Sequence, residues 1–335
     1  MKTTDKIAEK LVSLMIQKIE TISSNWKKPW FSPGMNIQNF IPRNLSGRSY
    51  SGGNIFMLLF LCEEMGYKTP VFLTFKQAKE QNITILKGQS SFPVYFISFC
   101  AYDKSINKRI SIEDYNGLSE AAKESYRVFA NTKYYPVFNL DQTNFSEIYP
   151  DKWGSLVKEF TPKTEITSTD VGMYANQILD GMLMAQSWEC PISLKQIDRA
   201  CYAPFSDSIT MPEKRFFVNG EAFYATLLHE MAHSTGVAHR LNRPNFLSRD
   251  NEDYGREELV AELTAALTSL FFGISAGIRE ENAQYLKGWI ADIKKDPKFL
   301  LSVFADSMRA VRFIAEKLNV NIDQAAEQVE LKEAI

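Results

Sequence analysis

Residues 229–233 read His-Glu-Met-Ala-His and hold two of the chain's three histidines. Two imidazoles four residues apart can grip one ion only when both leave the same side of a helix, one turn above the other. The pentapeptide therefore demands a helix and a divalent metal, with Glu230 standing by the ion as general base on a bound water. Its flanks agree. Glu221 to Leu228 is helix-forming after the turn signal Asn219-Gly220, and Phe223, Leu227 and Leu228 fall on the side away from solvent. Upstream, Asp207 to Pro212 alternates polar and apolar residues and stops at proline, which predicts a short edge strand able to receive a peptide substrate's backbone.

A catalytic zinc takes three protein ligands and leaves a fourth position open. Two residues compete for the third place. His239 completes His229-x-x-x-His233-x-x-Gly236-x-x-His239, in which Gly236 would turn the chain back to the metal. That arrangement needs a methionine turn downstream, and the next methionine, Met308, falls late in a helical stretch. Glu258 lies in Arg256 to Leu267, a helical run with an apolar stripe of Leu259, Leu263, Ala266 and Leu267. Glu258 and Glu262 share one face of it, so Glu258 can complete the site while Glu262 hydrogen-bonds a ligating imidazole. Glu258 is favoured, with His239 the alternative, and Glu257 is expected to be solvated because it points about 100° away. Zn2+ is the expected ion, with Mn2+ or another divalent metal the alternative, and peptide-bond hydrolysis the expected reaction on a protein or peptide substrate not otherwise specified. Tyr202, Tyr224 and Tyr254 are the phenols within sequence reach as oxyanion donors.

At 335 residues the chain is long enough for two α+β domains: an N-terminal mixed domain over 1–150, a connector over 151–169 and a metal-binding domain over 170–335. Charge divides the same way. Residues 1–150 carry 18 Lys and Arg against 13 Asp and Glu, a net +5, and the rest carry 20 against 27, a net −7, which together make the overall −2. A cationic first half favours a polyanion as partner. The charged N-terminus lacks a secretory h-region, and the longest apolar run, Ile55 to Cys62, is too short to span a bilayer, so no membrane partner and a cytoplasmic location are expected. Cys62, Cys100, Cys190 and Cys201 show no Cys-x-x-Cys spacing and read as buried thiols.

In the first half, Asp5 to Ile22 is an amphipathic helix. It is followed by Asn25-Trp26-Lys27-Lys28-Pro29-Trp30 and by the loop Pro42 to Asn54, which contains Arg43, Asn44, Arg48 and Tyr50 among Gly47, Gly52 and Gly53. Cations interleaved with flat rings suit single-stranded nucleic acid, since bases stack on the rings while Lys and Arg meet phosphates. A helix from Leu58 to Met65 and a short one at Lys76 to Gln81 are expected, with strands at Val71 to Phe75, Ile83 to Leu86, Pro93 to Phe99 and Tyr134 to Leu140. In the second half, a helix is expected from Val171 to Trp188. Tyr285, Trp289, Phe299, Val303 and Phe304 read as helical core, and the charged stretch Gln324 to Ile335 is expected to fray.

Asn25 to Trp30, Asn44 to Tyr50, Phe72 to Ala78, Lys87-Gly88, Val137 to Gln142, His229 to Gly236, Arg240 to Arg243 and Glu257 to Glu262 occur in this order in the ArdC-like antirestriction proteins, which the chain resembles over most of its length. The resemblance implies an N-terminal domain that binds single-stranded DNA, joined to a zincin-like metallopeptidase domain. It also implies carriage on a mobile genetic element and a part in protecting entering DNA from restriction. The residues it points to for DNA are Trp26, Lys27, Lys28, Trp30, Arg43, Asn44, Arg48, Tyr50, Lys76 and Lys87. It supports Glu258 as a metal ligand. This chain has Val237 where the family commonly has a histidine.

Overall fold

The computed structural model describes residues 3–23, 41–106, 108–161, 168–169, 173–248, 251–274, 277–279, 282 and 285–320. The architecture is α+β in two domains. A long helix α1 (Thr3–Ser23) precedes β1 (Arg43–Asn44), α2 (Gly53–Met65), β2 (Val71–Leu73) and α3 (Phe75–Glu80). A long antiparallel ribbon follows, β3 (Phe92–Asp103) against β5 (Tyr126–Asn139), with β4 (Arg109–Ser111), α4 (Ile112–Asn116) and α5 (Glu120–Lys123) between them. The sheet order is β1-β2-β5-β3-β4, with β1 parallel to β2 and the other pairs antiparallel. The strand expected at Ile83 to Leu86 reduces to a single bridge, Ile85 with Thr143. Asn82 at φ 55° and Gly88 at φ 85° turn the chain at both ends of that stretch and leave it too short to pair further.

Part of the expected connector is helical. After α6 (Phe145–Ile148), α7 (Pro150–Phe160) starts on its proline, whose missing N–H is harmless at a first turn. Trp153, Leu156 and Phe160 recur at helical spacing and pack on the first core. The second half opens with β6 (Ser168–Thr169) and β7 (Met173–Tyr174). The helix expected from Val171 occupies only Gln177–Ala185 (α8), because the Asn176 side chain accepts from Leu179 N at 3.0 Å and sets the start there. Then come β8 (Ile192–Lys195), β9 (Cys201–Ala203), β10 (Ser208–Pro212), α9 (Gly220–Ser234), α10 (Asn251–Phe271), α11 (Leu286–Lys295) and α12 (Pro297–Lys317).

The expected edge strand is central. β10 runs between β8, parallel to it, and β9, antiparallel to it. Pro212 closes the strand at its last residue, where no further ladder bond is required. The edges belong to β8 and β9.

Two apolar clusters form the interior. The first joins α1, α2 and the base of the ribbon to α10, α11 and α12, and the second lies beneath α9 with α8 and the three-stranded sheet. α12 serves both. Its Val303, Phe304 and Val311 enter the first cluster and its Ile314 the second. Phe304 stacks on Phe56 of α2 at 5.3 Å. A Cβ on Gly53 would stand 2.8 Å from Phe304 Cβ, so glycine permits the helices this approach. Gly53, in the loop expected to meet nucleic acid, is thus a buried packing position. Trp289, Val303 and Phe304 are core as expected, and Gln324 to Ile335 lie outside the described residues. No helix among the described residues is long and apolar enough to cross a membrane.

Candidate metal centre

α9 starts where Asn219 accepts a hydrogen bond from Ala222 N at 2.8 Å and runs to Ser234. Phe223, Leu227, Leu228 and Met231 are fully buried beneath it. That burial fixes the helix's rotation, so His229 and His233 must face α10 across the crossing. There His229 Nε2 and His233 Nε2 are 3.0 Å apart, and the carboxylate oxygens of Glu258 lie 3.4 Å from the first and 3.5 Å from the second. Tetrahedral bonds of about 2.0–2.2 Å require ligand atoms about 3.3–3.5 Å apart. The donor set of two imidazoles and one carboxylate therefore fits a zinc-sized divalent ion. Among the described residues this trio forms the group able to hold a metal.

Each imidazole is backed by an acid. His229 Nδ1 is buried without a hydrogen-bond partner, and Glu262 Oε1 is the nearest carboxylate oxygen, 3.5 Å away. Glu262 is itself steadied by Asn282 Nδ2 at 2.9 Å. His233 Nδ1 donates to Glu257 Oε1 at 3.1 Å, and Arg243 grips that carboxylate through Nε and Nη2. Glu257 is therefore buried, contrary to the solvated position expected for it. The helical angle is as stated, but Arg243 and the α9 terminus cover that side of α10. Arg243 also donates to Thr235 Oγ1 and Ala232 O, tying down the exit of α9. Gly236 belongs to this joint: a Cβ there would stand 2.3 Å from the Phe246 ring and 2.7 Å from Arg243 Nη2, so its service is close packing.

The electrostatics follow from these contacts. Burial opposes a charge on His233, but Glu258 and Glu257 outweigh it and push the imidazole up to about 10. Burial likewise opposes a charge on Glu258, yet the two histidines hold its carboxyl far below the usual range. For Glu262 burial wins and the carboxyl is raised.

Glu230 is buried, and both its oxygens are engaged. Tyr202 N donates to Oε2 at 2.7 Å and Arg279 Nη1 to Oε1 at 2.6 Å. Edge strand β9 therefore lies directly against the candidate base. A cleft of about 1240 Å³ runs alongside, lined by Ala225 and Thr226 of α9, by Phe216 and Phe217, and by Ile278 and Arg279. Of the three phenols, Tyr224 donates to Asp180 inside the fold and Tyr202 donates to Asp207. Tyr254 stands by the centre, its phenol pushed up by burial and by the adjacent Glu258 carboxylate. His239 does not join the cluster. It is exposed and sits 3.2 Å from Asp207. Arg279, Arg243, Glu257 and Asn282 were not anticipated in these roles. Arg243 and Glu257 carried a signal, their places in the stretches Arg240 to Arg243 and Glu257 to Glu262; Arg279 and Asn282 carried none.

Of the residues expected to meet DNA, Trp26, Lys27, Lys28 and Trp30 lie outside the described residues. Arg43 pairs with Glu159 at 2.7 Å and lies over the Phe160 ring, and Asn44 Oδ1 accepts from Arg48 N at 2.8 Å within its own turn. Tyr50 is edge-on to Phe72. Lys76 pairs loosely with Glu80, and Lys87 is exposed. A neighbouring cavity of about 680 Å³ includes Glu80, Asp151 and Glu159 in its lining. Three carboxylates there make poor company for phosphate.

Comparison with known proteins places these features. Residues 5–138 match the model for the N-terminal domain of the anti-restriction factor ArdC, and residues 183–306 match that for a zincin-like metallopeptidase. The chain is 28% identical over 315 residues to a DNA primase TraC of Escherichia coli, covering 91% of this chain and 27% of that protein. A second TraC of that organism is 30% identical over 311 residues, covering 90% and 19%. The chain thus spans under a third of the primases it matches. It is 26% identical over 326 residues to the uncharacterized protein y4eC of Sinorhizobium fredii (strain NBRC 101917 / NGR234), covering 95% and 96%. Among solved structures, the metal-free antirestriction ArdC protein from plasmid R388 superposes with a TM-score of 0.65 at 24% identity, covering 92% of this chain and 97% of that one. The Mn(II)-bound form superposes at 0.63 and 23%, covering 95% and 98%.

Proposed function

We propose, from the premise that this chain has the ArdC-like two-domain architecture, an ArdC-type N-terminal domain ahead of a zincin-like metallopeptidase domain, that it is an antirestriction protein of a mobile element. In this reading it binds single-stranded DNA and hydrolyses peptide bonds at a metal centre. The convergence of His229, His233 and Glu258 next to Glu230 carries the reading. His229, His233 and Glu258 hold the ion, Glu262 and Glu257 orient the two imidazoles, and Glu230 is the general base. Zinc suits the ligand set, and manganese is the alternative that the Mn(II)-bound relative suggests.

When bound, the ion supplies Lewis acidity, polarising a carbonyl and acidifying water. The chain's own residues do the rest. Glu230 takes the proton of the attacking water and delivers it to the leaving nitrogen. The backbone of β9, bonded to Glu230 through Tyr202 N, offers an edge on which an extended peptide can lie. Tyr254, whose phenol hydrogen-bonds Glu258, is the phenol left to serve a developing oxyanion. Glu230→Gln keeps the shape and the Tyr202 hydrogen bond but removes the base. It should bind zinc with unchanged stoichiometry and lose peptide hydrolysis by at least 100-fold, consistent with the usual worth of a general base of about 10²–10⁴-fold. Retained hydrolysis sinks the catalytic role.

A second reading, a non-catalytic DNA-binding protector with a structural or vestigial metal, is favoured by one observation: Arg279 already occupies Oε1 of Glu230. On that reading Glu230→Gln preserves protection of DNA in cells as fully as the unaltered chain does.

A further inference from the structure

We propose that one face of the β3–β5 ribbon, extended by β4, is the platform on which single-stranded DNA stacks; this rests on the DNA-binding reading above and gives it a location. The register decides which residues share that face. Directly paired residues of antiparallel strands point the same way, and alternate residues along a strand do so too. Tyr135 pairs with Val94, Lys133 with Phe96, Phe129 with Cys100, Arg127 with Tyr102, and Tyr102 in turn with Arg109 on β4. All of these lie on one face. Along β5 it therefore carries Tyr135 and Lys133, then, past position 131, Phe129 and Arg127, with Phe96 and Tyr102 alongside.

These rings face solvent where burial would be ordinary. Phe96 is 51% exposed, Phe129 41% and Tyr135 45%. Phe129 is braced edge-on by Tyr102 at 5.5 Å, and the Arg127 guanidinium lies 5.0 Å from its ring centre. The opposite face is furnished differently. There Tyr126 meets Tyr115 of α4, and Asp103, the single acidic residue of the three strands, pairs with Tyr126. The ring-bearing face thus combines cations with exposed aromatics and has no carboxylate from its own strands. That is the chemistry of a groove that stacks bases and neutralises phosphates without reading sequence. From Arg127 to Tyr135 the strand rises about 27 Å, a length over which several bases can stack in succession. The turn around Arg43 offers neither property, because Glu159 already holds Arg43 and acids line the cavity beside it.

The test is fluorescence anisotropy of a fluorescein-labelled oligothymidylate with the full chain across a salt series. Phe96→Ala and Phe129→Ala should each weaken binding roughly 5- to 150-fold, the usual worth of one stacked base. Arg109→Gln, Arg127→Gln and Lys133→Gln together should reduce the slope of log affinity against log salt by about 2, at about 0.7 per phosphate contact. Val128→Ala, an exposed change on the opposite face, should leave affinity unchanged. Thermal unfolding and zinc stoichiometry, measured on each variant, separate lost contacts from lost fold. Unaltered affinity and salt slope in the ring and cation variants overturn the platform while the DNA-binding reading stands. An unaltered chain that fails to bind the oligonucleotide overturns both.

Discussion

Arg243 and Glu257 are buried together, with the arginine side chain fully covered and the carboxylate 10% exposed. Arg243→Met therefore strands a carboxylate inside the protein, in the regime where breaking a buried pair costs about 3–5 kcal/mol. That is far above the roughly 0–1 kcal/mol of a surface pair. Two charge-assisted bonds to Glu257 at about 1.5–3 kcal/mol each give the same range. At about 2 °C per kcal/mol the unfolding midpoint should fall by roughly 5–10 °C. Because Glu257 aims His233 at the ion, zinc affinity should also drop by about 10–100-fold. The sharper result concerns the pair. Glu257→Gln removes the stranded charge, so Arg243→Met combined with Glu257→Gln should cost at least 2 kcal/mol less than the sum of the two single changes, near the upper end of measured coupling. Chemical denaturation of the metal-free protein supplies the cycle, and competition against a chromophoric chelator supplies the affinity. Additive single changes, or an Arg243→Met protein whose zinc affinity is intact, would refute the claim that this ion pair supports the metal centre.

Zinc loading must expel the proton that Glu258 and Glu257 keep on His233 up to about 10. Calorimetry at pH 7 in buffers of different ionisation enthalpy should show close to one proton released from this group, and apparent affinity rising with pH by about tenfold per unit in this range. In the metal-free protein the sign is opposite: the raised imidazole contributes stability that is complete below about 6.5 and fades as pH rises through about 10. A thiol reagent should label one cysteine of the native protein rapidly, Cys201. Cys62, Cys100 and Cys190 are buried, and burial pushes the Cys190 thiol up to about 11. Rapid labelling of a second cysteine before unfolding contradicts that burial.

The metal trio was legible because helical periodicity is local. His229, His233, Glu258 and Glu262 each sit four residues from a partner, and the spacing alone sets their faces. Glu257 was misjudged by the same periodicity. A turn of 100° leads to solvent only when one side of a helix is exposed, and α10 has Leu259, Val260, Ala261 and Leu263 buried on successive faces. The centrality of β10 was hidden because its parallel neighbour β8 lies some way off along the chain, and a strand's own alternation carries no record of how many partners it has. The ribbon runs past the expected Pro93 to Phe99 and Tyr134 to Leu140, on to Asp103 and back to Tyr126, because pairing between its two strands sets their length and the pattern of either strand alone does not record it. Arg279 gave no sign of itself, since nothing in its sequence neighbourhood links it to Glu230.

The stacking of Phe304 on Phe56 sets an order of assembly. A ribosome delivers the second ring about 250 residues after the first, about 12–50 s at about 5–20 residues per second. For the part of that interval after residue 150, the N-terminal domain has every residue of its own but not the helix that covers it. Until α12 is made, part of α2 must wait for its lid or be sheltered by a chaperone. A chain cut short before α12 would keep its metal ligands and still carry an exposed, aggregation-prone apolar face.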